Sequence, residues 1–154
     1  MIKKLLCAAL ALGLVPGSLL AADAFTGTWK LDVAKSTFAS DNPAPRELTL
    51  TFTQQGGNVT QTMSRTDTDG RETNTAWTAP VTGGTVTFPA GQGPNGGATL
   101  TVADDKTLLM TQNLRSPTVG ASRTYQVSAD GKTLTLTQTA IGGQERARMA
   151  FTRQ

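Results

Sequence analysis

The chain has no histidine, and its one cysteine, Cys7, lies close to the start. These two absences remove the usual ligands of zinc and haem, the histidine of a serine triad and any thiol nucleophile from the body of the chain. They also leave no second cysteine for a disulfide, so stability must come from packing. Aromatic residues make up only 5% of the chain and charged residues 16%. The carboxylates Glu47, Glu72, Asp104, Asp105 and Glu145 fall in turns or on outward-facing positions, so no inward acid pair is visible for general acid–base chemistry. The sequence therefore points away from an enzyme and toward no cofactor and no metal.

Residues 1–22 read as a signal peptide. Lys3 and Lys4 precede an apolar core from Leu5 to Val15, which Pro16-Gly17 breaks before the small residues Ala21, Ala22 and Ala24. Cleavage after Ala22 or after Ala24 fits equally. The apolar run is too short and interrupted to span a bilayer, and Cys7 lacks the setting of a lipoprotein cleavage site, so no membrane anchor is expected. Export to the periplasm or beyond is the expected localisation. Without Lys3 and Lys4, twelve basic side chains face eleven acidic ones, which gives no electrostatic case for nucleic acid. Residues 23–154 then form one domain, long enough to bury roughly two-thirds of its unfolded surface.

What the chain has in quantity is threonine, at 27 positions, largely alternating with apolar residues. Leu48, Leu50 and Phe52 alternate with Thr49, Thr51 and Thr53; Leu134 and Leu136 alternate with Thr133, Thr135 and Thr137. This is the period of a half-buried strand, and β-branched threonine suits the pleat. About ten strands begin near Thr26, Arg46, Asn58, Arg71, Thr85, Ala98, Thr107, Ala121, Thr133 and Arg146. Turn chemistry separates them at Gln55-Gly56-Gly57, Asp67-Thr68-Asp69-Gly70, Gly83-Gly84, Asp104-Asp105-Lys106 and Ala129-Asp130-Gly131. No convincing helical period appears after residue 22. The architecture expected is all-β, an up-and-down antiparallel barrel of about 8–10 strands whose closure removes exposed edges. Alternate links are tight. Four of the five others are longer, at Asp32–Pro45, Pro89–Gly97, Ser116–Gly120 and Ile141–Glu145, which predicts a closed bottom and an open mouth.

Ala24-Phe25-Thr26-Gly27-Thr28-Trp29-Lys30-Leu31 resembles the opening strand of fatty-acid-binding proteins, and its Gly-x-Trp resembles the start of lipocalins. Arg123-Thr124-Tyr125 through Asp130-Gly131-Lys132-Thr133-Leu134-Thr135-Leu136-Thr137 resembles the closing hairpins of fatty-acid-binding proteins. The chain thus resembles the calycin group, and the opening through Lys35-Ser36-Thr37-Phe38 is similar to small exported bacterial lipocalin-like domains. The resemblance implies that Trp29 packs under a basic residue of the last strand, which here is Arg153. It has two departures. Asp32–Pro45 is too short and proline-broken for the helical pair of fatty-acid-binding proteins, and the carboxylate-binding Arg-x-Tyr falls on Met149-Ala150-Phe151.

Parity of the apolar positions assigns inward faces. Phe52, Val59, Trp77, Leu108, Val127, Leu134 and Phe151 form a dry core toward the bottom. Toward the mouth the inward faces carry Arg65 with Met63, Gln112 with Met110 and Leu114, Arg123 with Tyr125, and Gln138. An arginine inside a barrel needs water, a carboxylate or a ligand. Two readings follow: solvated rim residues, or a polar anchor above an apolar pocket. Gly91-Gln92-Gly93-Pro94-Asn95-Gly96 has the lettering of a dinucleotide loop but leads into a strand rather than a helix, so it is a loop at the mouth. Asp67-x-Asp69-Gly70 lacks the rest of a calcium loop and reads as a hairpin turn. Phe38 reads as a lid or as cover for strand ends. The function expected is an exported binding protein for a small hydrophobic or amphiphilic molecule, anions included, held in the barrel mouth. The alternative is a stress-related or inhibitory barrel with a filled interior that binds another protein through its loops.

Overall fold

A computed structural model describes residues 21–112, 121–140 and 142–154. A single 3-10 turn, Ala21–Ala24, precedes ten strands: β1 (Gly27–Phe38), β2 (Glu47–Gln55), β3 (Asn58–Thr66), β4 (Glu72–Pro80), β5 (Gly84–Val86), β6 (Ala98–Asp104), β7 (Thr107–Gln112), β8 (Ala121–Val127), β9 (Thr133–Ala140) and β10 (Glu145–Arg153). Each begins within one residue of the position that alternation and turn chemistry predict. Neighbours in sequence pair antiparallel, and β1 closes on β10, giving the order β4-β3-β2-β1-β10-β9-β8-β7-β6-β5. Between β4 and β5 the only ladder contact among the described residues is the bridge Thr78–Thr87, whose two N–H···O bonds are 2.9 and 2.8 Å long. The result is a nearly closed barrel with one weak seam.

β1 continues beyond the point where alternation stops. The expected loop Asp32–Pro45 is in fact strand as far as Phe38. Asp32 pairs with Ala150 and Thr37 with Arg148, so four residues of β1 lie opposite one of β10. Such a bulge scrambles period-two patterning. Ser36 fills the gap: its hydroxyl donates to Asp32 O at 2.7 Å and accepts from Ala150 N at 3.0 Å. Phe38, half-buried, packs against the core beside Ala147 and so covers strand ends. Of the other long upper links, Ser116–Gly120 lies outside the described residues, as do Leu114 and Ile141.

The lower half is solid. Phe25, Trp29, Phe52, Val59, Leu108, Leu134 and Phe151 are fully buried, with Trp77 and Val127 nearly so. Phe52 meets Tyr125 edge-on at 5.7 Å and Trp77 at 6.1 Å, and Trp77 meets Tyr125 at 6.2 Å, separations at which tilted aromatic pairs attract. Trp29 and Arg153 are register partners, with the guanidinium carbon 4.2 Å from the ring centroid. Arg153 also donates to Gly131 O, Thr26 O and Ala24 O at 2.8, 2.7 and 2.6 Å, stapling the N-terminal turn and the β8–β9 turn to the base. Glycine precedes the tryptophan for a steric reason. Gly27 has φ +130, and a Cβ there would sit 3.1 Å from the Arg153 Nη1 that reaches Thr26.

Candidate functional site

Above the aromatic layer the interior is open, because the seam beside it is incomplete. β5 has only three residues, so the upper edge of β4 faces a connecting loop, residues 87–97, instead of a strand. A cavity of about 820 Å³ lies there. Its inner wall is Met63, Thr75, Trp77, Gln112 and Arg123; its outer wall is the β4 edge at Asn74 and Ala76, together with Phe88 and Gly91–Asn95 of the loop. The cavity therefore lies in the seam as well as in the mouth. Gln92 substitutes for the missing strand by accepting the Ala76 N–H at 2.9 Å. Gly93, at φ +117, packs on Phe88, and a Cβ there would meet the ring at 2.5 Å. The glycine-rich run is thus a cavity wall leading into β6.

The expected site residues separate into two groups. Met63, Gln112 and Arg123 line the cavity. Met110 is fully buried opposite Arg123 in the β7–β8 ladder, and Tyr125 is 1% exposed within the aromatic layer, so both support the site from beneath. Gln138, half-buried, faces Arg123 across the β8–β9 ladder but is not part of the wall. Arg65 is engaged elsewhere. Its Nε is ion-paired with Asp67 at the head of the β3–β4 turn, and it too lies off the wall. A carboxylate two residues further on captures it before it can turn inward. That turn is closed by Gly70 N–H on Asp67 O at 3.0 Å and Arg71 N–H on Asp69 Oδ1 at 3.1 Å, as expected of a hairpin.

Arg123 is different. Among the described residues no carboxylate pairs with it, and its buried Nε finds no acceptor. It is half-buried beside Met63, Trp77 and Phe88, with its charge facing the cavity. The groups whose acidity the fold moves, Asp32, Asp130 and Arg148, all lie on the surface away from this site. Three site features escape a reading of the sequence alone. Trp77 is both core and cavity wall. Gln61, 3% exposed, is a buried polar side chain facing inward between Val59 and Met63, and parity along β3 marks its position. Phe88 and Gln92 belong to a loop with no period to read.

No protein-family model matches the chain, and no curated protein matches it in sequence. Solved structures do match in fold. A fatty acid binding protein of Schistosoma mansoni, in complex with arachidonic acid, superposes with TM-score 0.58 at 19% identity, covering 87% of this chain and 98% of that one. A redesigned β-barrel, mFAP1, bound to DFHBI, gives TM-score 0.52 at 16% identity over 86% of this chain and 98% of that one. EF1p2_mFAP2b bound to DFHBI gives 0.51 at 12% over 88% and 98%. The chain has the fold of fatty-acid-binding-protein-like, or calycin, barrels. Between β1 and β2, where a fatty-acid-binding protein is expected to carry a helical pair, residues 39–46 form no helix, and among the described residues the only helix is the Ala21–Ala24 turn.

Proposed function

We propose that this is an exported binding protein that holds a small, partly apolar anion in the cavity beside β4. The observation that carries the reading is Arg123, whose buried Nε has no acceptor and which pairs with no carboxylate among the described residues, at a cavity of about 820 Å³ whose other walls include Met63, Trp77 and Phe88. That volume suits a small-molecule ligand, and one convergent charge among apolar walls is how such sites orient one. A guanidinium matches a carboxylate in a two-point fork. The fold neighbours hold arachidonic acid and a dye, which supports a ligand of similar size.

Calorimetric titration with aliphatic acids and their matched amides tests the reading. The acids bind more tightly, and Arg123→Ala weakens them about tenfold to a hundredfold, the equivalent of a charge-assisted hydrogen bond of roughly 1.5–3 kcal/mol. Equal affinity for acid and amide removes the anion from the reading. No binding at all by the intact protein overturns it in favour of a barrel that binds a protein partner.

Export rests on the leader-like residues 1–22, with cleavage after Ala22 or Ala24. Cleavage after Ala24 removes the carbonyl held by Arg153, and either cleavage removes Ala22, which accepts from the Phe25 N–H at 3.1 Å. The exported protein should have an intact mass starting at Asp23 or Phe25 and carry no acyl chain. A mass retaining residues 1–20 would refute this.

A further inference from the structure

We propose that Trp77, on the wall across from β8, and Gln61 beside it in the ladder form a second, deep acceptor-binding subsite, so that the ligand binds head-inward with a head-group oxygen on the Trp77 Nε1–H. This rests on the cavity reading above but goes beyond Arg123. Four buried side-chain polar atoms lack a partner among the described residues: Gln61 Nε2, Trp77 Nε1, Arg123 Nε and Gln54 Oε1. Neither Gln61 nor Gln54 lines the cavity, but Gln61 lies directly beside the lining residue Trp77, whereas Gln54 sits near the base turn. The other three are donors. Buried donors left unmade are costly and rare, so each calls for an acceptor. An indole N–H can only donate. Trp77 is 2% exposed and its Nε1 is buried, yet the residue lines the cavity. Gln61, at 3% exposure, is its direct partner in the β3–β4 ladder.

The common sign of the three groups selects the ligand. A head group that donates, such as an amine, leaves all of them unpaired. One with two oxygen acceptors satisfies the Trp77 wall with one oxygen and Arg123 with the other. The apolar cavity residues Met63, Phe88 and Pro94 then run with the tail toward the seam, where the loop is held by Gln92. A carboxylate is the simplest such head. A carbonyl without charge, as in an ester, still engages Trp77.

The test uses dodecanoate, its methyl ester and dodecylamine on the whole secreted chain. Wild type is expected to bind the acid best, the ester more weakly and the amine negligibly. Trp77→Phe, which keeps a ring but removes the N–H, weakens acid and ester alike by about threefold to tenfold; Arg123→Met weakens the acid alone. Gln61→Met removes an unpaired donor without emptying the space. It should raise the melting temperature of the ligand-free protein by about 3 °C while weakening the acid. Amide NMR gives an independent reading, because the chain has two indoles. Trp29 Nε1–H is already bonded to Phe25 O at 2.8 Å and stays still, whereas the Trp77 resonance shifts as dodecanoate is added. Unchanged affinity in both Trp77→Phe and Gln61→Met, with loss only in Arg123→Met, overturns the subsite and leaves the anion reading intact. A Gln61→Met protein that is more stable but binds equally well, or a Trp77 indole signal that does not move, assigns those donors to water and overturns it too. Binding of none of the three probes by wild type overturns both readings.

Discussion

At the lower end of the barrel Phe25, Phe52, Trp77 and Tyr125 pack ring on ring with centroids 5.7–6.2 Å apart, and Arg153 ties three backbone carbonyls over Trp29. At the upper end the same strands enclose about 820 Å³ and, among the described residues, leave buried donors without acceptors. Both ends share threonine-lined outer faces and alternating inner ones, so strand chemistry does not separate them. The seam does. Lower down, the Thr78–Thr87 bridge joins β4 across the seam. Higher up, among the described residues, the Gln92 side chain on the Ala76 N–H does so. Stability is concentrated where backbone pairing crosses the seam, and recognition where it does not.

The largest test of that contrast is at the base. Trp29→Ala should cost about 3–5 kcal/mol, the range for truncating a fully buried aromatic, measured by urea or thermal unfolding. Superimposable melts of mutant and parent would show that the base is not the stabilising end. Arg153→Ala comes next, at about 1–2 kcal/mol, since its three charge-assisted bonds are reached from an exposed position. Arg153→Lys should recover little of it, because one ammonium cannot reproduce a planar fork over an indole.

At the upper end, Gln92→Ala should change stability by less than about 1 kcal/mol, the net value of one neutral hydrogen bond. Its signature is kinetic: ligand association and dissociation both speed up in stopped-flow measurements, and the Ala76 amide loses hydrogen-exchange protection. A large loss of stability instead would make the seam part of the core. The smallest effect is at the β8–β9 turn. Asp130 is held below the ordinary carboxylate value by the Ser128 hydroxyl first and the Lys132 N–H second. Its contribution is therefore present above the unfolded carboxylate pKa and is lost as pH falls through the lower folded value. Asp130→Asn should flatten the acid side of a stability–pH curve slightly and leave ligand binding unchanged.

Much of this was legible in local pattern. Alternation and turn residues marked the starts of the ten strands to within a residue because a pleated strand with one buried face must repeat every two positions. It failed across Asp32–Thr37 because a bulge changes parity within the strand. Met63, Gln112 and Arg123 were legible as inward residues near the mouth, and they do line the cavity. Arg65 shared their parity, but its partner, Asp67, lies in a turn whose geometry no period reports.

The sequence by itself determined the strand order and the sealed base, since both follow from short-range periodicity and turn residues, and its resemblance to lipocalins, with strand parity and the closure of first strand on last, implied the Trp29–Arg153 pairing. The tertiary structure decided where the barrel is open. A three-residue β5, a loop pinned by Gln92 and the set of donors left over at Trp77, Gln61 and Arg123 depend on which distant groups find partners and which do not. Those pairings are long-range, and a hydrogen bond that goes unmade leaves no mark in the local order of residues.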